Sequence, residues 1–271
     1  MNIHEANTTD DQLTRRNLIA SQATGSAAEP ATIHYTEQEH RLWQIISNRL
    51  LSLWATHASG EVLMASARLS LPTDRVPQLT EVTKNLSRSS GFEFRAVPGL
   101  VDKQDFFGAL AKRRFLSTQF LRDPKTPFYT EEPDIVHEVL GHATLLADPR
   151  MAELHQLAGA ALIRVRTERA RQFIADVWWF SGEFGVIIQN GEPKALGAGL
   201  LSSVGEITQF ADSAEIRPLD ITQMGLTNYR IDEFQKILFR GDSIEHLLDL
   251  VGGFFSKVDD EMVKQLIGGK P

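Results

Sequence analysis

The sequence predicts a mainly α-helical domain with a few short β-strands, an α+β arrangement, on three observations. Apolar residues recur at helical spacing over much of the chain, as in Leu42, Trp43, Ile46, Leu50, Leu53 and Trp54. Short β-branched or aromatic runs, such as residues 92–97 and 186–188, are bounded by glycine or by the turn pair Asn190-Gly191. The 271 residues are 42% hydrophobic, enough for one substantial core, and no boundary with a second domain is visible.

Taken in order, residues 1–34 read as a disordered N-terminal tail, and residues 35–271 as a single domain. Within the tail, Arg15-Arg16-Asn17-Leu18 resembles a twin-arginine export signal. The sequel Ser21-Gln22-Ala23-Thr24-Gly25-Ser26 is too polar to be the apolar core of one. Thr36 and Glu39 form a capping box that opens the first long helix, with Trp43 and Trp54 assigned to the core. Helices follow over 61–69 and 76–88, the second stopped near Gly91, and then a strand over 92–97. Asp102 caps a helix containing Phe106, Phe107 and Leu110, and residues 114–121 are extended. Helices are predicted over 134–146, 149–163 and 168–187. Beyond the Asn190-Gly191 turn come a glycine-rich segment, a helix from about Ser203, a strand over 236–239 and a helical region over 242–266.

Charge and composition remove several function classes. A net charge of −7 and a pI near 5.6 disfavour nucleic acid and anionic membranes, which need clustered positive charge. Lys112-Arg113-Arg114 and the arginines between Arg164 and Arg171 read as solvated faces. No apolar run reaches the roughly 18 residues of a membrane span. With zero cysteines, any metal must be held by nitrogen and oxygen, which is compatible with a cytoplasmic location.

The chemistry is concentrated in Tyr129-Thr130-Glu131-Glu132-Pro133-Asp134-Ile135-Val136-His137-Glu138-Val139-Leu140-Gly141-His142, joined by a separate Glu183. Two histidines and one carboxylate on one face of an ion leave other positions open, the arrangement of non-haem Fe(II) oxygenases. Zinc proteases place their two histidines four apart on one helix face, whereas His137 and His142 are five apart, about 140° around an ideal helix. Gly141 is expected to let the helix loosen so that both rings turn toward one ion. Two other readings stay open on residue types alone: ordinary structural histidines, and a zinc hydrolase with Glu138 as its base.

Three ordered blocks, residues 130–142, 179–185 and 194–206, resemble the catalytic domain of the pterin-dependent aromatic amino-acid hydroxylases, which act on phenylalanine, tyrosine and tryptophan. The resemblance runs from about Tyr35 to near Asp260. It implies Fe(2+) held by His137, His142 and Glu183, a tetrahydropterin (tetrahydrobiopterin or a relative) as electron donor, and O2 and an aromatic amino acid as substrates. By the same resemblance Arg122 pairs with the substrate carboxylate, and Tyr129, Thr130 and Pro133 line that pocket. Trp179 forms its aromatic wall, Gly199 permits close backbone approach, and Ser202 hydrogen-bonds the amino-acid end. Phe106 stacks on the pterin, Gly99, Leu100 and Val101 present backbone groups to its amide edge, and Trp178 lies on the cofactor side. Glu138 points toward the pterin or a metal-bound water as a catalytic group.

Departures from the family pattern bear on outcome. Ala143-Thr144 stands where Val-Pro is usual and Ser181-Gly182 where Thr-Val is usual, leaving room for the substrate ring to sit differently. Glu131 replaces a common proline, and Leu116 stands where some members carry histidine. The expected reaction is L-phenylalanine to tyrosine. The alternatives are meta-hydroxylation by a phenylalanine 3-hydroxylase of secondary metabolism, or a tryptophan hydroxylase. Lacking an N-terminal regulatory domain and a heptad tail, the chain is expected to be an unregulated monomer.

Overall fold

Thr36 opens the helix Glu37–His57 as the sequence predicts: its hydroxyl accepts from the Glu39 amide, and the Glu39 carboxylate accepts from the Thr36 amide. The apolar stripe of this helix is buried, and both tryptophans are fully enclosed. Their indole N–H groups are satisfied by carbonyls, Trp43 on Pro72 at 3.0 Å and Trp54 on Leu201 at 2.8 Å. The second bond ties the first long helix to the segment that lies behind the candidate site.

The computed structural model describes residues 10–23, 30–130, 132–231 and 233–268. Helices Gly60–Leu69 and Leu79–Ser89 follow, then strand β1 (Glu93–Ala96), helix Lys103–Leu110 capped by Asp102, and strand β2 (Arg114–Ser117), parallel to β1. Helices Pro149–Arg164 and Glu168–Trp178 form the centre. The helix expected to reach residue 187 changes at Trp179 into a π-turn, Trp179–Glu183, and the chain then enters strand β3 (Val186–Gln189). Asn190 and Gly191, with φ of 53° and 82°, turn the chain into β4 (Glu192–Ala195), because two left-handed residues match the twist of a tight hairpin.

Among the described residues the larger sheet has the order β4-β3-β6-β5, with β5 Glu215–Pro218 and β6 Ile237–Gly241. β3 and β5 both run parallel to β6. β5 escaped the sequence reading because Glu215-Ile216-Arg217-Pro218 offers a single apolar residue; it survives at an edge, where proline costs no ladder bond. The helix expected from about Ser203 is Val204–Ile207, capped by the Ser203 hydroxyl, and a further short helix, Ala198–Ser202, lies within the glycine-rich segment before it. The C-terminal region is helical as expected, in a succession: Ile244–Leu247, a π-turn Leu248–Gly252, Gly253–Lys257 and Asp260–Gly268.

The tail expectation is corrected for its described part. Asp10–Gln22 is a helix whose Ile19 is 1% exposed and packs with Ile33 and Phe120. Arg15 makes two bonds to the Glu39 carboxylate, at 3.0 and 2.9 Å, and one to the His34 carbonyl. Arg16 pairs with Glu132 and sits 4.6 Å over the Phe120 ring. The paired arginines are therefore anchors, and the helix is held by long-range contacts that leave no periodic apolar trace. None of the described helices is long and apolar enough to cross a membrane.

Candidate functional site

Both segments that carry the proposed ligands are π-turns, His137–Ala143 and Trp179–Glu183. In an i→i+5 turn, residues five apart return to the same side, so the spacing that separates His137 from His142 on an α-helix brings them together here. Their Nε2 atoms lie 3.1 Å apart. Glu183 completes the set, with Oε1 3.0 Å from His142 Nε2 and Oε2 3.7 Å from His137 Nε2. Gly141 lies in this widened turn, where the helix was expected to loosen, and it also meets a packing demand: a Cβ there would lie 2.8 Å from the Ala198 carbonyl oxygen, so the missing side chain lets helix Ala198–Ser202 close against the π-turn.

This donor set fits a small divalent cation. Two donors at right angles, each ~2.1 Å from one ion, are ~3 Å apart, which is the spacing found. The Glu183 carboxyl is buried, which pushes its pKa up, yet the two imidazoles pull it down to about 2. Burial lowers His137 to about 4 against the pull of Glu183. At neutral pH a neutral His137 imidazole and an ionised carboxylate therefore face the ion position, as nitrogen–oxygen ligation of Fe(II) requires.

Asp134, to which the sequence reading gave no role, organises the surroundings. Its carboxylate is fully buried and accepts from the backbone N–H of Arg122, from Arg122 Nε and Nη2 at 2.9 and 2.7 Å, and from the His137 amide. Arg122, expected to pair with the substrate carboxylate, is thus already paired with a carboxylate of the protein. Its Nε–Nη2 edge is taken, and the residue is 5% exposed. Ser202, expected at the amino-acid end of the substrate, donates its hydroxyl to the Ala198 carbonyl and meets His137 Nδ1 at 2.9 Å, a contact that steadies that imidazole. Gly199 faces protein too, since a Cβ there would strike the Phe184 ring at 2.6 Å.

The other expected residues surround the triad. Glu138 is buried, its carboxyl raised well above the ordinary range by desolvation, and it accepts from the Thr118 amide. Trp179 is half-buried, stacked on Tyr229 with ring centres 4.4 Å apart, and its indole N–H reaches Gln235 Oε1. Trp178 is buried against His142, Phe106 and Phe107. Phe106 keeps a partly exposed face. Tyr129 is exposed, Thr130 and Pro133 are half-buried, and Leu100 is exposed between half-buried Gly99 and Val101. Leu116 is half-buried in β2, whereas Glu131 lies outside the described residues. Tyr229, Gln235, Glu206 and His155 also belong to this neighbourhood. Nothing in the sequence marked them, apart from a Glu206 that ends the third block.

The room expected beside Gly182 is already filled. A Cβ on Gly182 would lie 2.8 Å from Trp178 Nε1 and 2.9 Å from Cε2, so the glycine is the complement of the large indole one helical turn before it. Gly182→Ala is expected to lower the melting temperature by several degrees, and Trp178→Phe in the same chain to recover most of the loss. Additive effects in this double-mutant cycle would remove the proposed fit.

Glu206 accepts from the Gln235 amide at 2.7 Å, and burial pushes its carboxyl up to about 7. Folded protein then holds a proton that unfolded protein has released, so this group's contribution is complete below its ordinary value of 4.5 and lost as pH rises through about 7. Glu206→Gln keeps an acceptor without the charge. Its melting temperature relative to the parent is expected to climb across that window and level off above it; a difference independent of pH refutes the account.

Comparison with known proteins places these features in context. A family model described as biopterin-dependent aromatic amino acid hydroxylase matches residues 3–265. The chain is 44% identical over 257 residues to a phenylalanine 3-hydroxylase of Streptomyces coeruleorubidus, covering 94% of this chain and 92% of that one. It is 35% identical over 231 residues to human phenylalanine-4-hydroxylase, covering 83% of this chain and 51% of that one, so it spans about half of that longer protein. A solved phenylalanine hydroxylase of Chromobacterium violaceum, with bound iron(III) and oxidised 7,8-dihydrobiopterin, superposes with a TM-score of 0.82 at 31% identity, over 97% of this chain and 94% of that one.

Proposed function

The chain belongs to the biopterin-dependent aromatic amino acid hydroxylase family, and we propose that within it this protein hydroxylates the ring of L-phenylalanine. The observation that carries the reading is the His137, His142 and Glu183 cluster, whose ligand atoms all lie within 4.8 Å of one another. When bound, Fe(2+) and a tetrahydropterin supply the reduction of O2 that a closed-shell arene needs.

The chain's own residues bind, orient and shield. His137, His142 and Glu183 hold the iron from one side and leave the other for oxygen. Phe106 offers a half-exposed face for the pterin ring, with backbone groups of Gly99, Leu100 and Val101 at its edge and Trp178 behind. Trp179, braced by Tyr229 and Gln235, forms the wall for the substrate ring, while Tyr129, Thr130 and Pro133 line the amino-acid end. Arg122 receives the carboxylate on the edge that Asp134 leaves. Burial holds a proton on the Glu138 carboxyl, which suits it to donate toward a water or the pterin. We extend the proposal to a cytoplasmic monomer.

For the ring carbon, the 44% identity with a phenylalanine 3-hydroxylase supports meta-hydroxylation, in place of the para-hydroxylation expected from the motifs. The para reading retains the support of the similarity to human phenylalanine-4-hydroxylase. Incubation of iron-loaded protein with tetrahydropterin, O2 and each aromatic amino acid is expected to yield meta-tyrosine from phenylalanine. Exclusive para-tyrosine would reverse the regiochemistry, and absence of any hydroxylated product would overturn the function. Alanine at His137, His142 or Glu183 should abolish tight Fe(II) binding and turnover, and full activity in any one removes that residue from the triad.

Arg122→Lys cannot reproduce the two parallel bonds to Asp134 or present the same edge to a carboxylate. It is expected to raise the amino-acid KM about tenfold or more with iron content unchanged. Unaltered substrate kinetics would leave Arg122 a purely structural partner of Asp134.

A further inference from the structure

His142 turns its Nε2 toward Glu183 and the ion position, so as a ligand its Nδ1 must carry the proton, and among the described residues no atom accepts it. Two other buried nitrogens beside it, His155 Nε2 and Trp178 Nε1, are also without partners among the described residues. The three rings are close neighbours: centres of His142 and His155 are 6.4 Å apart, His142 and Trp178 6.1 Å, and His155 and Trp178 5.9 Å.

Their hydrogen-bonding characters are complementary. His155 Nδ1 lies 2.8 Å from the Met151 carbonyl, one turn earlier on helix Pro149–Arg164, and can only donate there. In a fully enclosed neutral ring this leaves Nε2 as a bare acceptor. His142 Nδ1–H and Trp178 Nε1–H are donors. Two donors and one acceptor that do not reach one another directly match a single water, which accepts two bonds and donates one. Leaving all three unmet would forfeit the hydrogen bonds that each makes to water in the unfolded chain.

We propose that His155 is a positioning residue of the metal centre: through one buried water shared with the Trp178 indole, its Nε2 accepts the Nδ1 proton of His142 and fixes the iron-binding ring. A metal-bound histidine usually donates its second N–H to an oxygen of the protein or of water, which sets the tautomer and ring angle. Here the acceptor behind the water is a second imidazole, itself held by a backbone carbonyl. Ser202 does the corresponding service for His137 directly, so each histidine ligand has a different support.

The inference rests on the triad as an iron site, and the experiment separates the two. Fe(II) affinity is measured anaerobically by chelator competition, together with the ligand-field absorption of the Co(II)-loaded protein, for the parent, His155→Leu, His155→Gln and Trp178→Phe. If the parent itself fails to bind Fe(II), the metal-site reading fails. If it binds, His155→Leu is expected to weaken affinity about 10–100-fold and shift the Co(II) bands. His155→Gln, whose amide oxygen restores an acceptor, should return most of both, and Trp178→Phe should fall between. Equal affinities and spectra in parent and His155→Leu would overturn the proposal, as would equal losses in the Leu and Gln variants. Should His155→Leu not fold, a high-resolution crystal structure of the parent decides: a water within bonding distance of both His142 Nδ1 and His155 Nε2 supports the bridge, and a dry contact refutes it.

Discussion

The carboxylate of Asp134 is the constraint on which the rest of the centre depends. It is an anion without solvent contact, and it is stable there because four N–H groups converge on it, three from Arg122 and one from the amide of His137. Removing one member of a buried pair typically costs about 3–5 kcal/mol, far more than a surface ion pair contributes. The bonds fuse two segments separated in sequence, the stretch at Arg122 and the start of the first π-turn, into one rigid piece. One carboxylate thus braces both the Arg122 guanidinium and the backbone amide of His137.

What could be read from the sequence was what local chemistry dictates. The capping box at Thr36, the Asp102 cap and the Asn190-Gly191 hairpin were all legible because each depends on residues within a few positions. The triad was legible because histidine pairs and a carboxylate carry chemical meaning wherever they fall. The helix Asp10–Gln22, the edge strand β5 and the role of Ser202 were not, since their partners lie far along the chain. The fit of Trp178 to Gly182 was within reach: the two are four residues apart on one helical path, and the small residue was noticed without its large complement.

That pairing alters how the departures from the family pattern are understood. Ser181-Gly182 looked like added space for a substrate, but the indole of Trp178 occupies it and presses toward His142 and Phe106. Volume has been redistributed from one residue to its neighbour, on the side where the pterin is proposed to lie. Trp179, the proposed substrate wall, faces different company, Tyr229, Phe184 and Gln235. Adjacent tryptophans thus pack into separate surroundings, Trp178 against His142 and Trp179 against Tyr229.

The wide turn at His137–Ala143 also has an evolutionary reading. A π-turn holds one residue more than the α-turn it replaces, so insertion or deletion of a single codon interconverts them. Removing Gly141 would leave His-Glu-Val-Leu-His, the spacing that places two histidines on one α-helical face in zinc hydrolases. The distance between an oxygen-activating ligand register and a hydrolytic one is thus a single glycine. That glycine is kept in place by the Ala198 carbonyl packed against it, so the neighbouring helix guards the register as well as the packing.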